Sequence, residues 1–264
     1  MTALALVLLA TLYSIGVSRA WSSAGIGRSI GYWQVASYLA GWLTLVAALA
    51  SPLDEWSDSL FAAHMLQHEL LMAVAAPLIA FGSPLTAFAW SLSGIRHSSR
   101  VVQRVTRSVG MLPAAMACVL HAAALWMWHL PALYDAALAH ESVHAVQHLS
   151  FFATGVLFWW ILAHGHYGRA GYGAAVLYVF ATGLQSGFLG ALITLSPRVW
   201  YAPYTAAQRL WNVSPIEDQQ LAGLIMWIPA SVVFAGAGLA FLVAWLHEPG
   251  RRVGHSSPTR RSIA

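Results

Sequence analysis

Two short segments of this chain carry the same pattern of side chains that can bind metal. Residues 64–68 read HMLQH and residues 144–148 read HAVQH, so both follow His-x-x-Gln-His. In an α-helix, residues four apart lie on one face, one turn above the other. Each segment therefore predicts two imidazoles that can approach one metal ion from the same side.

The residue types around these pairs favour copper. Imidazole suits copper, zinc, iron and nickel, whereas a nearby thioether favours reduced copper. Met65 lies within the first pair, Met226 lies near the start of the last apolar segment, and His129 precedes the second pair. The predicted metal ligands are therefore His64, His68, His144, His148, His129 and Met65, with Met226 as a secondary candidate.

Two other groups can use the same imidazoles. A haem with two axial His would need one His from each pair, because two His one turn apart cannot reach opposite faces of one macrocycle. That arrangement leaves one imidazole of each pair unused, so haem is the alternative to a compact copper site. A zinc hydrolase would need Glu69 as its base, but in the HExxH pattern the Glu follows the first His, whereas Glu69 follows the second.

A polar group also begins the last apolar segment. Ser214 and Pro215 predict a helix start, and acidic residues in a first turn complement the positive end of the helix dipole. Asp218 and Gln219 enter the apolar segment, where they can hydrogen-bond the second ring nitrogen of a metal-binding His. The aromatic residues upstream are typical of a belt at the outer membrane interface: Trp200, Tyr201, Tyr204 and Trp211.

The composition indicates a membrane protein. Of 264 residues, 59% are hydrophobic and 8% are charged, which is unlike a soluble domain. The chain contains no Lys, and this excludes a retinal Schiff base. The single cysteine, Cys118, cannot form an intrachain disulfide. We recognise no nucleophile beside a base and no phosphate-binding loop, so we do not expect an enzyme.

Seven apolar segments are long enough, or nearly so, to cross a bilayer, which takes about 20 residues each. We therefore predict an all-α transmembrane bundle over residues 1–250 and a basic, disordered cytoplasmic tail over residues 251–264. The first segment is interpreted as a retained span, because no basic residues precede it as they do in a signal peptide. The segments are residues 3–17, 35–50, 60–81, 112–128, 146–163, 174–195 and 221–246.

The charges predict that the N-terminus is outside and the C-terminus inside, because Arg-rich loops remain cytoplasmic. The basic residues are then expected to contact lipid head groups and not nucleic acid. The Arg residues assigned to the inner face are Arg19, Arg28, Arg96, Arg100, Arg104, Arg107, Arg169, Arg251, Arg252, Arg260 and Arg261. The acidic residues assigned to the outer face are Asp54, Glu55, Asp58, Asp135, Glu141, Glu217 and Asp218.

This topology places both His pairs on one side of the membrane, at the outer starts of spans three and five. His129 lies at the outer end of span four. The segments that precede the two pairs also correspond loosely, which suggests a parallel repeat of spans two and three in spans four and five. Because such repeats often hold a site between their halves, we expect spans three and five to touch.

Three long motifs occur in order along the chain. They are SPLDEWSDSLFAAHMLQHELLMAVAAPLIAFGSP, then WHLPALYDAAL with HAVQHLSFFATGVLFWW, then SPIEDQQLAGLIMW. Together they resemble the CtaG-type cytochrome c oxidase assembly factors, multi-span proteins associated with the caa-type oxidase. The resemblance implies a helical protein of the bacterial plasma membrane that is needed for active haem-copper oxidase and takes part in copper handling. Ala76 stands where the family often has a second Pro, which affects only the local kink.

The expected function is therefore an oxidase assembly factor that binds copper at an outer-leaflet His cluster and passes it to a haem-copper oxidase subunit. Acidic outer loops would attract the incoming cation. One alternative is a metal-free scaffold, in which the His residues form a polar packing network. Gly183, Gly187 and Gly190 would then allow close helix contacts, within the chain, with a partner or in a homo-oligomer. The other alternative is a haem-binding electron-transfer protein.

Overall fold

A computed structural model describes residues 2–92, 113–164, 171–204 and 212–247, and within these ranges all regular secondary structure is helical. The all-α prediction is thereby confirmed. The basic tail and most of the Arg residues used to predict the topology lie outside the described residues. The helices are α1 (Thr2–Ala24), α2 (Tyr32–Leu49), α3 (Pro52–Ser57), α4 (Phe61–Glu69), a π-helical segment (Leu70–Ala75), α5 (Ala76–Phe81), α6 (Pro84–Ser91), α7 (Ala114–Trp128), α8 (Pro131–Ala139), α9 (Glu141–His164), α10 (Gly171–Leu195) and α11 (Pro215–His247).

The described helices include five candidate membrane spans, or six if one bent pair counts as a span. The five are α1, the continuous segment Phe61–Phe81, α9, α10 and α11. The bent pair is α7 and α8, whose axes differ by 74°. Helix α2 has 18 residues but begins with Tyr, Trp and Gln, and it is not among the candidates. The chain is thus a multi-pass membrane protein, while the seventh span and the orientation are not confirmed.

The third predicted span is a continuous but irregular helix. Its first part, α4, is followed by the π-helical segment, which begins immediately after Glu69. Pro77 is the second residue of α5 and has no N–H to donate to a carbonyl group of the preceding turn. A π-helical turn contains an extra residue, so it changes which side chains face the bundle interior. The helix type therefore changes just before Pro77.

Small residues set the closest helix contacts. The backbones of α10 and α11 approach so closely that a Cβ atom built on Gly223 would lie 2.7 Å from the carbonyl oxygen of Gly190. Helix α1 packs in the same way, with Gly16 against the backbone of Ala87 in α6. The glycines expected to allow close packing therefore act, in α10, within this chain.

The end of α2 and the starts of α4, α9 and α11 lie together at one end of the bundle. The end of α2 lies beside α4, because Gln67 Nε2 donates to the carbonyl oxygen of Ala48 at 2.8 Å. The start of α11 lies beside the start of α4, because the Asp218 carboxylate accepts from the N–H of Phe61 at 2.8 Å. The start of α9 lies there too, since its His side chains contact those of α4. We call this the His end of the bundle.

The two halves of the predicted repeat have the same order of elements. In each, a long helix (α2 or α7) is followed by a short helix with Pro in its first turn (α3 or α8) and then by the helix with the His pair. This order agrees with the suggested duplication.

Candidate metal centre

Four His residues from the two predicted pairs lie together at the His end. Within the pairs, the ring centroids of His64 and His68 are 4.4 Å apart and those of His144 and His148 are 4.1 Å apart. Between the pairs, the centroids of His64 and His144 are separated by 5.0 Å and those of His68 and His148 by 5.2 Å. Helices α4 and α9 therefore touch through these imidazoles. We call these four residues the His cluster.

Three members of the His cluster are close enough to share one metal ion. Each of His64, His68 and His148 offers a ring nitrogen, and these nitrogens all lie within 4.8 Å of one another. Three nitrogens bound to one ion at about 2.0 to 2.1 Å lie about 3.3 to 3.6 Å apart in tetrahedral or trigonal geometry. The separations between the three ring nitrogens, now up to 4.8 Å, would therefore have to shorten by up to about 1.5 Å to close around an ion.

The ring nitrogens of the cluster are buried without hydrogen-bond partners. His64 and His68 lack a partner on both nitrogens, whereas His144 and His148 lack one on Nε2. A buried polar atom without a partner costs about 1 to 3 kcal/mol. A bound metal ion would offset that cost, because each unprotonated nitrogen would donate its lone pair to the ion. The donor set and its burial thus fit a transition-metal ion.

His129 lies beside the cluster, at the end of α7. Its Nδ1 donates to the carbonyl oxygen of Leu125 at 2.7 Å, which leaves Nε2 as the unprotonated nitrogen. That Nε2 is buried without a partner. The ring centroid lies 6.2 Å from that of His68. His129 thus presents one free lone pair near the cluster, but it is not part of the three-His set.

An aromatic layer covers the cluster. Tyr201 and Tyr204 are buried, so the prediction that they belong to an interfacial belt is wrong for these two residues. Burial raises the pKa of both hydroxyls above the ordinary value, so both remain protonated donors. Tyr201 donates to the carbonyl oxygen of His129 at 2.8 Å, and Tyr204 donates to that of Ser57 at 3.2 Å. The predicted Trp211 lies outside the described residues.

Sequence reasoning missed three residues at this site. The ring of Tyr134 lies 5.2 Å from that of His64, and the ring of Phe151 lies 4.7 Å from that of His68. Gln147 is fully buried with no partner for either amide atom. Of these three residues, only Gln147 could have been found from the sequence, because a Gln occupies the same position in both five-residue motifs. Tyr134 and Phe151 resemble any other aromatic residue of an apolar helix.

Asp218 and Gln219 contact backbone atoms at the site. The Asp218 carboxylate accepts from the N–H groups of Phe61 and Ala62 at 2.8 and 2.9 Å, and so caps α4. Gln219 accepts from the N–H of Trp200 at 2.7 Å and donates to the carbonyl oxygen of Arg198 at 2.9 Å. Both residues position the elements around the cluster. Their predicted hydrogen bonds to metal-binding His residues remain a prediction.

The remaining predicted ligands lie in apolar surroundings. Met65 and Met226 are both buried in the hydrophobic cluster that also contains Phe61 and Tyr134. Their coordination of a metal remains a prediction. Glu69 is buried next to His68, and its Oε2 has no hydrogen-bond partner.

Carboxylates lie beside His144 at the surface of the cluster. Asp54 and Asp58 both interact electrostatically with its ring. Asp54 also accepts from Gln67 Nε2 at 2.7 Å, so it is tied to α4. Burial and the charge of Asp54 raise the pKa of Asp58, while His144 lowers it. This side of the cluster therefore attracts cations.

Comparison with known proteins identifies related chains. A family model described as "Cytochrome c oxidase caa3 assembly factor (Caa3_CtaG)" matches residues 11–248. Uncharacterised proteins of Mycobacterium bovis and Mycobacterium tuberculosis are each 26% identical over 87% of this chain and 39% of their own length. One of Mycobacterium leprae is 22% identical over 90% of this chain and 37% of its own. The chain thus spans about two fifths of these relatives. No solved structure matches it.

Proposed function

Because the chain belongs to the cytochrome c oxidase caa3 assembly factor family, we propose that it assists oxidase assembly by binding copper as cargo and passing it to an oxidase subunit. The His cluster holds the copper in this proposal. The role is not enzymatic, since the copper ion is bound and released unchanged.

One observation carries the proposal. The three-His set of His64, His68 and His148 is buried, lies within reach of one ion, and has ring nitrogens without hydrogen-bond partners. A polar packing network would pair those nitrogens with one another or with backbone groups. The compact arrangement also favours a single ion over a macrocycle. Thioethers favour reduced copper, and those of Met65 and Met226 are buried in the hydrophobic cluster that contains Tyr134, whose ring contacts that of His64.

We further propose seven spans, with the N-terminus outside, in the plasma membrane of a bacterium. The order of helix ends supports this topology, because the ends of α2 and α7 and the starts of α4, α9 and α11 lie at the His end. That order requires α2 to run antiparallel to α4. Asp54 and Asp58 beside His144 would draw copper to the cluster from the outside.

The test is the copper content of detergent-purified protein from copper-supplemented cells. We expect stoichiometric copper in the wild type and none in the double variant His64→Ala, His68→Ala. The matched control removes two imidazoles elsewhere, at the exposed residues His140 and His247, and should keep its copper.

Each other result has a defined meaning. Equal copper in the wild type and the cluster variant would exclude the His cluster as the site. Protein without copper or haem, with purification losses excluded by loading it again, would favour a metal-free scaffold. A haem Soret band in the visible spectrum would favour the electron-transfer alternative.

A further inference from the structure

His144 is the member of the His cluster that reaches the surface of the bundle. It is partly exposed, whereas His64, His68 and His148 are only 0%, 1% and 9% exposed. Of the two ring nitrogens of His144, only Nε2 is both fully buried and without a hydrogen-bond partner. His144 is therefore the imidazole of the cluster that an ion in water can contact most readily.

Aromatic rings pack against the two most deeply buried imidazoles. The ring of Tyr134 lies 5.2 Å from that of His64, and the ring of Phe151 lies 4.7 Å from that of His68. Both aromatic residues are themselves buried. A hydrated cation that passed between such rings would lose its water without gaining a ligand. These sides of the cluster are therefore unfavourable for the entry of an ion.

Two exposed carboxylates lie beside His144 instead. Asp54 and Asp58 both interact electrostatically with its ring. The Gln of the first motif fixes one of them, because Gln67 Nε2 donates to Asp54 Oδ1 at 2.7 Å and to the carbonyl oxygen of Ala48 at 2.8 Å. The negative charge beside His144 is thus held next to the helix that carries the first His pair.

His144 also contacts the three-His set directly. Its ring stacks on that of His64, with the centroids 5.0 Å apart, and its centroid lies 4.1 Å from that of His148. It is nevertheless not one of the three residues whose ring nitrogens lie within 4.8 Å of one another. His144 therefore connects an exposed acidic surface with the buried set without belonging to that set.

We propose that His144 is the loading ligand of the copper site, an inference that rests on the proposed function. The carboxylates of Asp54 and Asp58 attract the cation, His144 binds it first, and the ion then passes to the three-His set. In that step the bond from copper to His144 breaks as bonds to His64 and His148 form. The His144 nitrogen keeps its lone pair and the copper remains Cu(I), so no electron is transferred.

Stepwise exchange of ligands explains why a partly exposed imidazole suits this role. Removal of a cation from water is costly unless the protein replaces the lost hydration. His144 can replace part of that hydration while the ion still contacts water. Negative charge nearby raises the local concentration of cations and their rate of association. The carboxylates act by charge alone, since soft Cu(I) prefers imidazole to oxygen ligands. His144 therefore governs the rate of loading and not the amount of copper bound.

The experiment mixes the full-length, copper-free protein in detergent with the acetonitrile complex of Cu(I) in an anaerobic stopped-flow instrument. Quenching of tryptophan fluorescence reports binding, since the chain has 13 Trp, and copper content after desalting gives the stoichiometry. His144→Phe keeps a ring but removes its nitrogens. We expect it to bind the wild-type amount of copper about tenfold more slowly or worse, as for residues just outside a ligand set. His144→Ala should also load slowly, whereas the control His140→Phe, at an exposed position, should load at the wild-type rate.

Asp58→Asn tests the contribution of charge, because the carboxylate of Asp54 is already held by Gln67. We expect loading to slow by about two- to fivefold at low salt. The difference should vanish at about 1 M salt, where charges are screened beyond about 3 Å. The matched control is Glu55→Gln, which removes the same charge from an exposed position of the same short helix. Glu55 is not among the groups that interact with His144, so this variant should load at the wild-type rate.

Four other results would each overturn part or all of this account. Wild-type loading rates in both His144 variants would overturn the proposal. Faster loading in His144→Ala with a wild-type rate in His144→Phe would also overturn it, since His144 would then be a plug. Loss of bound copper in His144→Phe would do so as well, because His144 would be a resident ligand. A wild type that binds no copper would instead refute the proposed function itself.

Discussion

Buried imidazoles normally find hydrogen-bond partners, and His129 shows how this chain provides one. Its Nδ1 donates to a carbonyl oxygen one turn back in the same helix. His64 and His68 lie within α4, yet no hydrogen bond of normal geometry pairs a ring nitrogen of either residue. The free nitrogens instead converge with that of His148. Convergence of unpaired nitrogens is expected of ligands and not of packing residues.

Asp218 acts on the cluster through the backbone of α4. Its carboxylate accepts from two N–H groups at the start of the helix that presents His64. Helix starts have N–H groups without partners inside the helix, and in a membrane protein those groups need a partner from elsewhere in the fold. The side chain thus holds the first turn of α4 against the start of α11.

We therefore predict that Asp218→Asn lowers the stability of the purified protein by about 1 to 3 kcal/mol, because an amide offers one acceptor oxygen and no charge. Thermal unfolding in detergent, followed by circular dichroism, measures this change. The control is Glu217→Gln, whose exposed side chain caps Ser214 and can do so as an amide. Equal midpoints for the two variants would contradict the capping role of Asp218.

At the scale of the element, the four-residue spacing of the two His in each motif accounts for most of the arrangement of the His cluster. Residues four apart put both His of each motif on one face of α4 or α9, and the rings within each pair are indeed adjacent. The π-helical segment begins just beyond α4, so the regular geometry of the His pair ends before the helix changes type. The packing of α10 against α11 depends instead on glycine, because the closest atoms of these two helices belong to their backbones.

A substitution of Gly223 tests whether the backbones of α10 and α11 pack this closely. Gly223→Ala would place a Cβ 2.6 Å from the backbone nitrogen of Thr194 and 2.7 Å from the carbonyl oxygen of Gly190. Because backbone atoms of two packed helices cannot both give way, we expect a loss of about 1 to 3 kcal/mol. The measurement is the thermal midpoint in detergent.

The control is Gly236→Ala in the same helix, where a Cβ meets nothing within 4 Å. Both variants gain the same helix propensity, so the difference between them isolates the close contact. If Gly223→Ala were as stable as Gly236→Ala, α10 and α11 would have to lie farther apart than in this structure.

At the scale of the molecule, the side of the membrane on which the His end lies follows from whether α2 crosses the membrane. Helix α2 has 18 residues, and its last turn reaches α4 through Ala48 and Gln67. If α2 crosses, the loop after α1 and the loop that contains α3 lie on opposite sides. If α2 lies along the surface, the two loops share one side.

Single cysteines distinguish these arrangements. In a Cys118→Ser background, Ser22→Cys lies in the last turn of α1 and Glu55→Cys lies in α3, and both positions are exposed. We expect a membrane-impermeant maleimide to label Glu55→Cys in intact cells, and Ser22→Cys only after permeabilisation, because the acidic loop is outside. Labelling of both in intact cells would refute the span, and the reverse pattern would refute the orientation.

The sequence by itself determined the membrane class, the helical fold, the family and the two His pairs. Composition and apolar length depend on single segments, and the spacing of four depends on one helix turn, so none of them requires a tertiary contact. The Gln shared by the two motifs was equally visible, but its environment was not. Sequence patterns also misplaced Tyr201 and Tyr204, because aromatic residues near span ends look the same whether they face lipid or a buried site.

Only the tertiary structure shows which imidazoles lie within reach of one another. His148 joins His64 and His68, while His129 stands beside them at an apolar cavity. It also decided that Asp218 caps α4, although Phe61 and Asp218 are 157 residues apart. Such contacts arise when helices from distant parts of the chain pack against one another, and the packing leaves no periodic signal in either segment. These contacts are therefore properties of the assembled bundle.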